Sequence, residues 1–346
     1  MNRPSRIVLI GASAGGVAAL TDLTAGLPKD FPAPVLLVLH IGAHRSNLQE
    51  LLQRRCPLDV ATARHGELPR AGTVRVAPPD EHMVLVGGRI ELTRSAKENH
   101  TRPAIDPLFR SAALEFGAQA IGVVLTGTLD DGTAGLQAIK AVGGTAVVQD
   151  PADAAEPGMP ASALRHVRVD HCVALAAMPA LLASLAGRSV DSAAAAPGNG
   201  TGAAQELAAM SPARQRLFHE QQLMLGLGNF VEHLRAIGRP SMFTCPECQG
   251  ALWELDDVAP RRLRCHTGHA FTDRSLQQAV SEGADEALWA ALRALQEKES
   301  LMAHRAAEHR DSDPLESARL AAAARSAGRQ ARALRQLLHR PSPPDE

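Results

Sequence analysis

Three residue types that together perform acyl transfer stand at comparable places in this chain. Ser13 lies in "LIGASAGG", His40 closes "VLLVLH", and Asp130-Asp131 follow the apolar run of "IGVVLTGTLDDG". A serine hydroxyl needs a base to take its proton, and the base needs a carboxylate to fix its tautomer and stabilise the imidazolium. Gly11-Ala12-Ser13-Ala14-Gly15 has the G-x-S-x-G pattern, in which small neighbours leave the hydroxyl exposed. Backbone N–H groups near Ala14, where a helix starts, then face a developing oxyanion. A dinucleotide fingerprint needs glycine where Ser13 stands, and a phosphate loop needs Gly-Lys-Ser/Thr after four spacers, so neither fits. The competing reading is a glycine-rich turn whose serine caps a helix.

These residues need elements to position them. Arg6 to Ile10, Val35 to His40, Thr73 to Ala77, Ile121 to Thr126 and Thr145 to Gln149 read as strands. Between them, Val17 to Leu27, Asn47 to Arg55, Pro107 to Phe116, Thr133 to Ala141 and Met178 to Leu185 read as helices. The alternation predicts an α/β fold, a doubly wound, mostly parallel sheet with helices on both faces. Met83 to Val86 and Arg89 to Thr93 flank Gly87-Gly88 as a hairpin. Ligands of such sheets bind at the carboxyl ends of the strands, and that edge is where Ser13, His40 and the aspartate pair fall.

The 346 residues, 45% of them hydrophobic, predict more than one domain. The division expected is a catalytic domain over 1–187, an Ala/Gly/Ser-rich flexible linker over 188–210, and a helical module over 211–346. A linker of that composition reaches about 25 Å, so the module is expected as a tethered one. Its helices are placed at Ser211 to Ile237, Leu276 to His309 and Pro314 to His339. With 36 basic against 37 acidic residues and no tyrosine, nothing points to nucleic acid. The first apolar run is too short for a signal peptide and no later one reaches spanning length, so no membrane insertion and a cytoplasmic location are expected.

Taken together, "LIGASAGG", "VLHIGAHRSNLQELL", "RVAPPDEHMVL", "NHTRPAIDPLFRSAA", "IGVVLTGTLDDGTAGLQAIKAVGGTAVVQDP" and "EPGMPASAL" resemble the catalytic domain of chemotaxis receptor methylesterases of the CheB type, over about residues 5 to 186. The resemblance implies hydrolysis of glutamate methyl esters on the signalling helices of methylated chemoreceptors, and in some members deamidation of receptor glutamines. It places the catalytic serine on Ser13, the histidine on His40 and the aspartate on Asp131; the position of Asp130 is often asparagine in the family. No cofactor is expected for the catalysis. The chain order Ser, His, Asp differs from the Ser, Asp, His of general α/β-hydrolases. Two departures stand out. The family signature Gly-Met-Gly-x-Asp-Gly appears as Gly127-Thr128-Leu129-Asp130-Asp131-Gly132, and the motifs begin at residue 6, so control by an attached receiver domain is not expected. A signalling adaptor that binds receptor or partner helices without turnover is the alternative function.

A second constellation lies in "CPECQGALWELDDVAPRRLRCHTGH", within a zinc-ribbon-like segment over 241–275. Cys245 and Cys248 form a C-x2-C knuckle, Cys265 follows after sixteen residues, and His269 supplies a fourth ligand. A structural Zn2+ fits this set, because four protein ligands leave no open position; reduced buried cysteines are the other reading. His266 is adjacent to Cys265 and less well placed to share the ion. The C-terminal helices are the candidate surface for a signalling partner. Among other residues, Asp106 before Pro107 reads as a helix cap, Gly158-Met159-Pro160 as a turn and helix start, and Cys56 and Cys172 as buried thiols. Arg102 reads equally as a contact for acidic receptor groups or as a surface ion pair.

Overall fold

The structure, a computed structural model, describes residues 5–42, 46–188, 207, 209–256 and 259–338. A seven-stranded sheet is built from β1 (Ile7–Ala12), β2 (Val35–Leu39), β3 (Asp59–Thr62), β4 (Thr73–Val76), β7 (Ala120–Val124), β8 (Thr145–Gln149) and β9 (His171–Val173). Its order is β3-β4-β2-β1-β7-β8-β9 and every pairing is parallel. Parallel strands need crossovers, and helices α1 (Gly16–Ala25), α2 (Leu48–Gln53), α3 (Ile105–Phe116), α4 (Thr133–Ala141) and α5 (Gly158–His166) lie in them, while α6 (Met178–Ala186) follows β9 and packs on the sheet. The chain winds outward from β1 to one side and later returns to its other flank, so β1 sits at the switch point.

The strand period of two explains why both faces are covered. Along β1, Ile7 and Leu9 enter one core with Leu108 and Phe109 of α3 and Leu136 of α4. Val8, Ile10 and Ala12 enter the other, with Leu20 and Leu23 of α1 and Leu182 of α6. The first core also takes Met83 and Leu85 of the antiparallel hairpin β5 (His82–Val86) and β6 (Arg89–Thr93), which turns through Gly87-Gly88 as expected.

Beyond the parallel sheet, the predicted helix over 211–237 is two: α7 (Pro212–Leu225) and α8 (Phe230–Ile237). Gly226 and Gly228 break it with φ of 71° and 72°, and Asn229 caps the second helix by accepting from the N–H groups of Val231 and Glu232. Then follows a four-stranded antiparallel sheet of β10 (Gly238–Thr244), β11 (Ala251–Leu255), β12 (Arg262–Cys265) and β13 (Ala270–Thr272), in that order.

The chain forms two compact units, Met1–Leu276 and Gln277–Glu346. The cysteine-bearing sheet therefore belongs to the same unit as the parallel sheet, which differs from the tethered module expected from composition. The reason is a buried charge cluster that composition does not reveal. Glu98, Arg110 of α3, Glu220 of α7, and Arg262 and Arg264 of β12 interlock with almost no exposure. The expected linker lies almost wholly outside the described residues. Helix α9 (Asp273–Glu308) starts in the first unit, and from Gln277 onward it forms with α10 (Pro314–Leu338) the helical hairpin of the second, in which the Ser317 hydroxyl donates to the carbonyl of Ala306 at 2.7 Å. Among the described residues no helix is long and apolar enough to cross a membrane.

Leu9 is fully buried at the centre of the sheet. Its truncation in Leu9→Ala is expected to cost about 2–5 kcal/mol of unfolding free energy, read from the shift of a urea denaturation curve for the full chain.

Candidate active site

Three neighbouring strands deliver the three residues. Ala12 of β1 is in register with Leu39 of β2, and Gly11 with Val124 of β7, so the residues after each strand emerge side by side. Ser13 and His40 come directly off β1 and β2, and Asp131 lies in the loop between β7 and α4. The Ser13 hydroxyl is 3.1 Å from His40 Nδ1, and His40 Nε2 is 2.8 Å from Asp131 Oδ2. With the proton on Nε2, the ring donates to Asp131 and accepts from Ser13. The structure thus brings together Ser13, His40 and Asp131 as a hydrogen-bonded series.

The turn after β1 explains how a serine stands free there. Gly15 has φ of 76°, and a Cβ on it would stand 2.8 Å from that of Ala155. Ser13 is held through its N–H, which donates to Thr126 O at 3.0 Å. The Ala14 residue is exposed, and among the described residues its N–H has no acceptor in the chain. At the start of α1, this N–H is available to an oxyanion. A cleft of about 580 Å³ opens at Ser13 and His40, lined by Val17, Leu39, Ile41 and Leu51 with Arg55 at its rim.

Asp131 is 3% exposed and is satisfied by five donors. Besides His40, these are Asn99 Nδ2 at 3.0 Å and the N–H groups of Ile105 at 2.7 Å, Asp106 at 3.1 Å and Gly132 at 2.9 Å. Burial alone would raise its pKa, but the His40 hydrogen bond and charge, with the N–H of Ile105 and the Asn99 amide, hold it below the usual carboxylate range. Two of those donors are the first N–H groups of α3, where the helix dipole favours an anion. Sequence reasoning missed Asn99, Ile105 and Asp106 as partners; residue type gives no signal for a backbone donor.

Asp106 itself corrects an expectation. The helix starts two residues earlier than its Pro107 implies, with Ala104 at the cap, and the Asp106 carboxyl group instead accepts from Gly135 N–H at 2.7 Å and Asn99 Nδ2 at 3.1 Å. Burial, then the charge of Asp131, pushes its carboxyl well above the usual range. Arg102 pairs with Asp80 at 2.7 Å, the ion-pair alternative. Gly158 begins α5 and Cys56 is buried, while Cys172 is exposed because it lies on edge strand β9. Leu129, at the second-glycine position of the resembled signature, has φ of 60°. That conformation costs a leucine about 1–2 kcal/mol and explains a glycine preference there.

Cys245, Cys248, Cys265 and His269 converge, each offering one ligand atom with all four atoms within 4.8 Å of one another. Cys248 Sγ and Cys265 Sγ are 3.6 Å apart, and Cys265 Sγ lies 3.5 Å from His269 Nδ1. Those edges match a tetrahedron with Zn–S bonds of about 2.3 Å, so the donor set fits a zinc ion. The Thr267 hydroxyl sits 3.1 Å from Cys248 Sγ, as an outer-sphere donor would. His266 is exposed and outside the cluster.

A parallel α/β sheet that presents a serine, a histidine and a carboxylate in hydrogen-bonded series at its carboxyl edge has the design of a serine hydrolase. Residues 8–182 match the family model of the CheB methylesterase, and the chain belongs to that family. It is 41% identical over 180 residues to a protein-glutamate methylesterase/protein-glutamine glutaminase of Anaeromyxobacter dehalogenans, covering 52% of this chain and 53% of that protein. A namesake from Cupriavidus pinatubonensis is 44% identical over 161 residues, covering 46% and 47%. The chain thus spans about half the length of these curated relatives. The crystal structure of the Thermotoga maritima CheB methylesterase catalytic domain aligns with 52% of this chain and 98% of its own, at 34% identity and a TM-score of 0.50.

The carboxylate beside the triad gives a test of these electrostatics. Burial pushes the Asp130 carboxyl up to about 6; its hydrogen bond from Thr272 opposes this and the charge of Asp131 adds to it. Its Oδ2 is buried without a partner among the described residues. The native state keeps this proton up to about pH 6, whereas the unfolded chain loses it near the ordinary value of about 4, so the group lowers stability as pH rises between the two. Asp130→Asn is expected to flatten that decline and to raise stability at pH 7 by about 1–2 kcal/mol, measured by urea denaturation across pH 4 to 8.

Proposed function

We propose that this protein is a protein-glutamate methylesterase acting on methylated chemoreceptor helices, with Ser13, His40 and Asp131 as its triad. The observation that carries the reading is the unbroken series Ser13–His40–Asp131, at 3.1 and 2.8 Å, beside an open cleft. Ser13 Oγ attacks the ester carbonyl as its proton passes to His40 Nδ1, and Asp131 stabilises the resulting imidazolium through Nε2. The Ala14 N–H receives the oxyanion. Collapse of the tetrahedral adduct breaks the C–O bond, His40 returns the proton to the leaving oxygen, and methanol departs. Water then gives its proton to His40 and attacks the acyl-serine, which releases the glutamate carboxylate and restores Ser13. The same steps on a glutamine amide release ammonia, and the double names of the relatives support that second substrate.

The cleft supports a protein substrate. Val17 and Leu51 are exposed on its wall, an apolar surface against which a helix can lie while one side chain reaches Ser13. Ser13→Ala is expected to abolish methanol release from methylated receptor by on the order of ten-thousandfold while leaving the thermal transition in place. Wild-type turnover in that variant refutes the triad.

The cysteine cluster is proposed as a structural Zn2+ site held by Cys245, Cys248, Cys265 and His269, supported by the edge lengths and the Thr267 contact. Metal analysis of freshly reduced protein is expected to give one zinc per chain, and Cys245→Ser to lower that content and the melting temperature together. Metal-free wild-type protein with an unchanged melting temperature refutes the site.

A further inference from the structure

A short segment, Lys97 to His100, joins the cysteine-bearing sheet to the parallel-sheet domain. Asn99 N–H donates to Ala270 O at 2.8 Å, and Ala270 N–H donates to Lys97 O at 3.3 Å, so the segment extends the sheet alongside β13. Glu247, inside the Cys245–Cys248 knuckle, meets His100 Nδ1 at 2.8 Å and Lys97 Nζ at 3.5 Å. Within the segment, Glu98 is 1% exposed and joins Arg110 of α3 to Arg264 of β12. Burial would raise its pKa, but Arg110 and then Arg264 hold it below its ordinary value, so it stays charged and demands both partners.

What the segment carries is Asn99. Its Nδ2 donates to catalytic Asp131 at 3.0 Å and to Asp106 at 3.1 Å. Its Oδ1 faces the other way and accepts from Thr272 N–H at 3.3 Å and the Ser275 hydroxyl at 3.2 Å. Thr272 and Ser275 are also the reciprocal cap of α9: each accepts from the other's N–H, at 3.1 and 2.8 Å. The Thr272 hydroxyl then donates to Asp130, next to the catalytic aspartate, at 2.8 Å. Asn99 and His100 both adopt left-handed φ, 50° and 66°, a conformation that persists only where surrounding contacts over-determine it.

We propose that the cap of α9, docked through the cysteine-bearing sheet, acts as a clamp on the catalytic aspartate, and that Asn99 is the positioning residue through which it acts. This rests on the triad reading above. Asp131 must present Oδ2 to His40; the N–H of Ile105 shares Oδ2, those of Asp106 and Gly132 hold Oδ1, and the Asn99 amide is the one side-chain donor on Oδ1 among the described residues. Asn99 in turn is held by groups far along the chain, beyond the residues that match the family.

The test is a double-mutant cycle on the full chain. Asn99→Ala and Ser275→Ala are made singly and together, with kcat and KM measured on a small methyl ester, melting temperature as control, and the rate of Ser13 labelling by a fluorophosphonate as a substrate-independent readout. Asn99→Ala is expected to lower kcat and the labelling rate by about 10- to 100-fold with KM unchanged, as for a misplaced catalytic group. Ser275→Ala is expected to lower both by about 3- to 10-fold, and to add no further loss in the Asn99→Ala background. Unchanged rates in Asn99→Ala, or losses that multiply in the double variant, overturn the clamp. If Asn99→Ala fails to fold, Ser275→Ala decides alone, and a wild-type rate in it overturns the proposal. Wild-type protein that labels but releases no methanol refutes the esterase reading and leaves the clamp to the labelling rates; wild type that neither labels nor turns over refutes both.

Discussion

A carboxylate that is 3% exposed, ionised and required to face one particular nitrogen is the constraint from which most of this architecture follows. In water Asp131 would be free to turn; inside the protein every lone pair must find a donor or the charge is lost. The sheet supplies the strands that bring His40 alongside, α3 supplies two N–H groups from its first turn, and the loop itself supplies the N–H of Gly132. The fifth donor, Asn99, has no such local origin. It comes from a segment whose own conformation depends on the antiparallel sheet.

The same segment is why the two sheets form one compact unit. Glu98 and Glu220 sit among three arginines, and all five charges are withdrawn from solvent. Such clusters contribute little net stability when complete, but removing one member leaves an uncompensated buried charge and costs about 3–5 kcal/mol. The association of the two sheets is therefore close to all-or-none at this junction.

Much of this was legible from the chain, and the limits have a physical pattern. The strands around β1 announce themselves as short β-branched runs because they are buried on both faces, and their alternation with helices is enough for the parallel sheet. Ser13, His40 and Asp131 stand out because each follows such a run. Strands β3 and β9 are short and lie at the sheet edges, half exposed, so they leave no comparable signature. The aspartate's other partners were hidden for two reasons. Backbone donors have no residue type, and Asn99 lies between charged and polar neighbours that read as ordinary loop. Composition also misled: an Ala/Gly/Ser-rich stretch says that the chain between two elements is pliable, and says nothing of whether those elements then bind each other. The cysteine spacing, by contrast, carries its own geometry, and the four side chains do converge.

The long-range hold on Asn99 has a consequence in time. A chain is made from its amino end, and Asp131 leaves the ribosome about 140 residues before Ser275. At roughly 5–20 residues per second, that interval is on the order of ten seconds. Through it the strands that carry Ser13 and His40 are already made, while Asn99 still lacks the Thr272 and Ser275 groups that hold its Oδ1. On the proposed clamp, Ser13 would gain an aligned partner series only near the end of synthesis, and a chain interrupted before the cap of α9 would carry Ser13, His40 and Asp131 without the Asn99 hold.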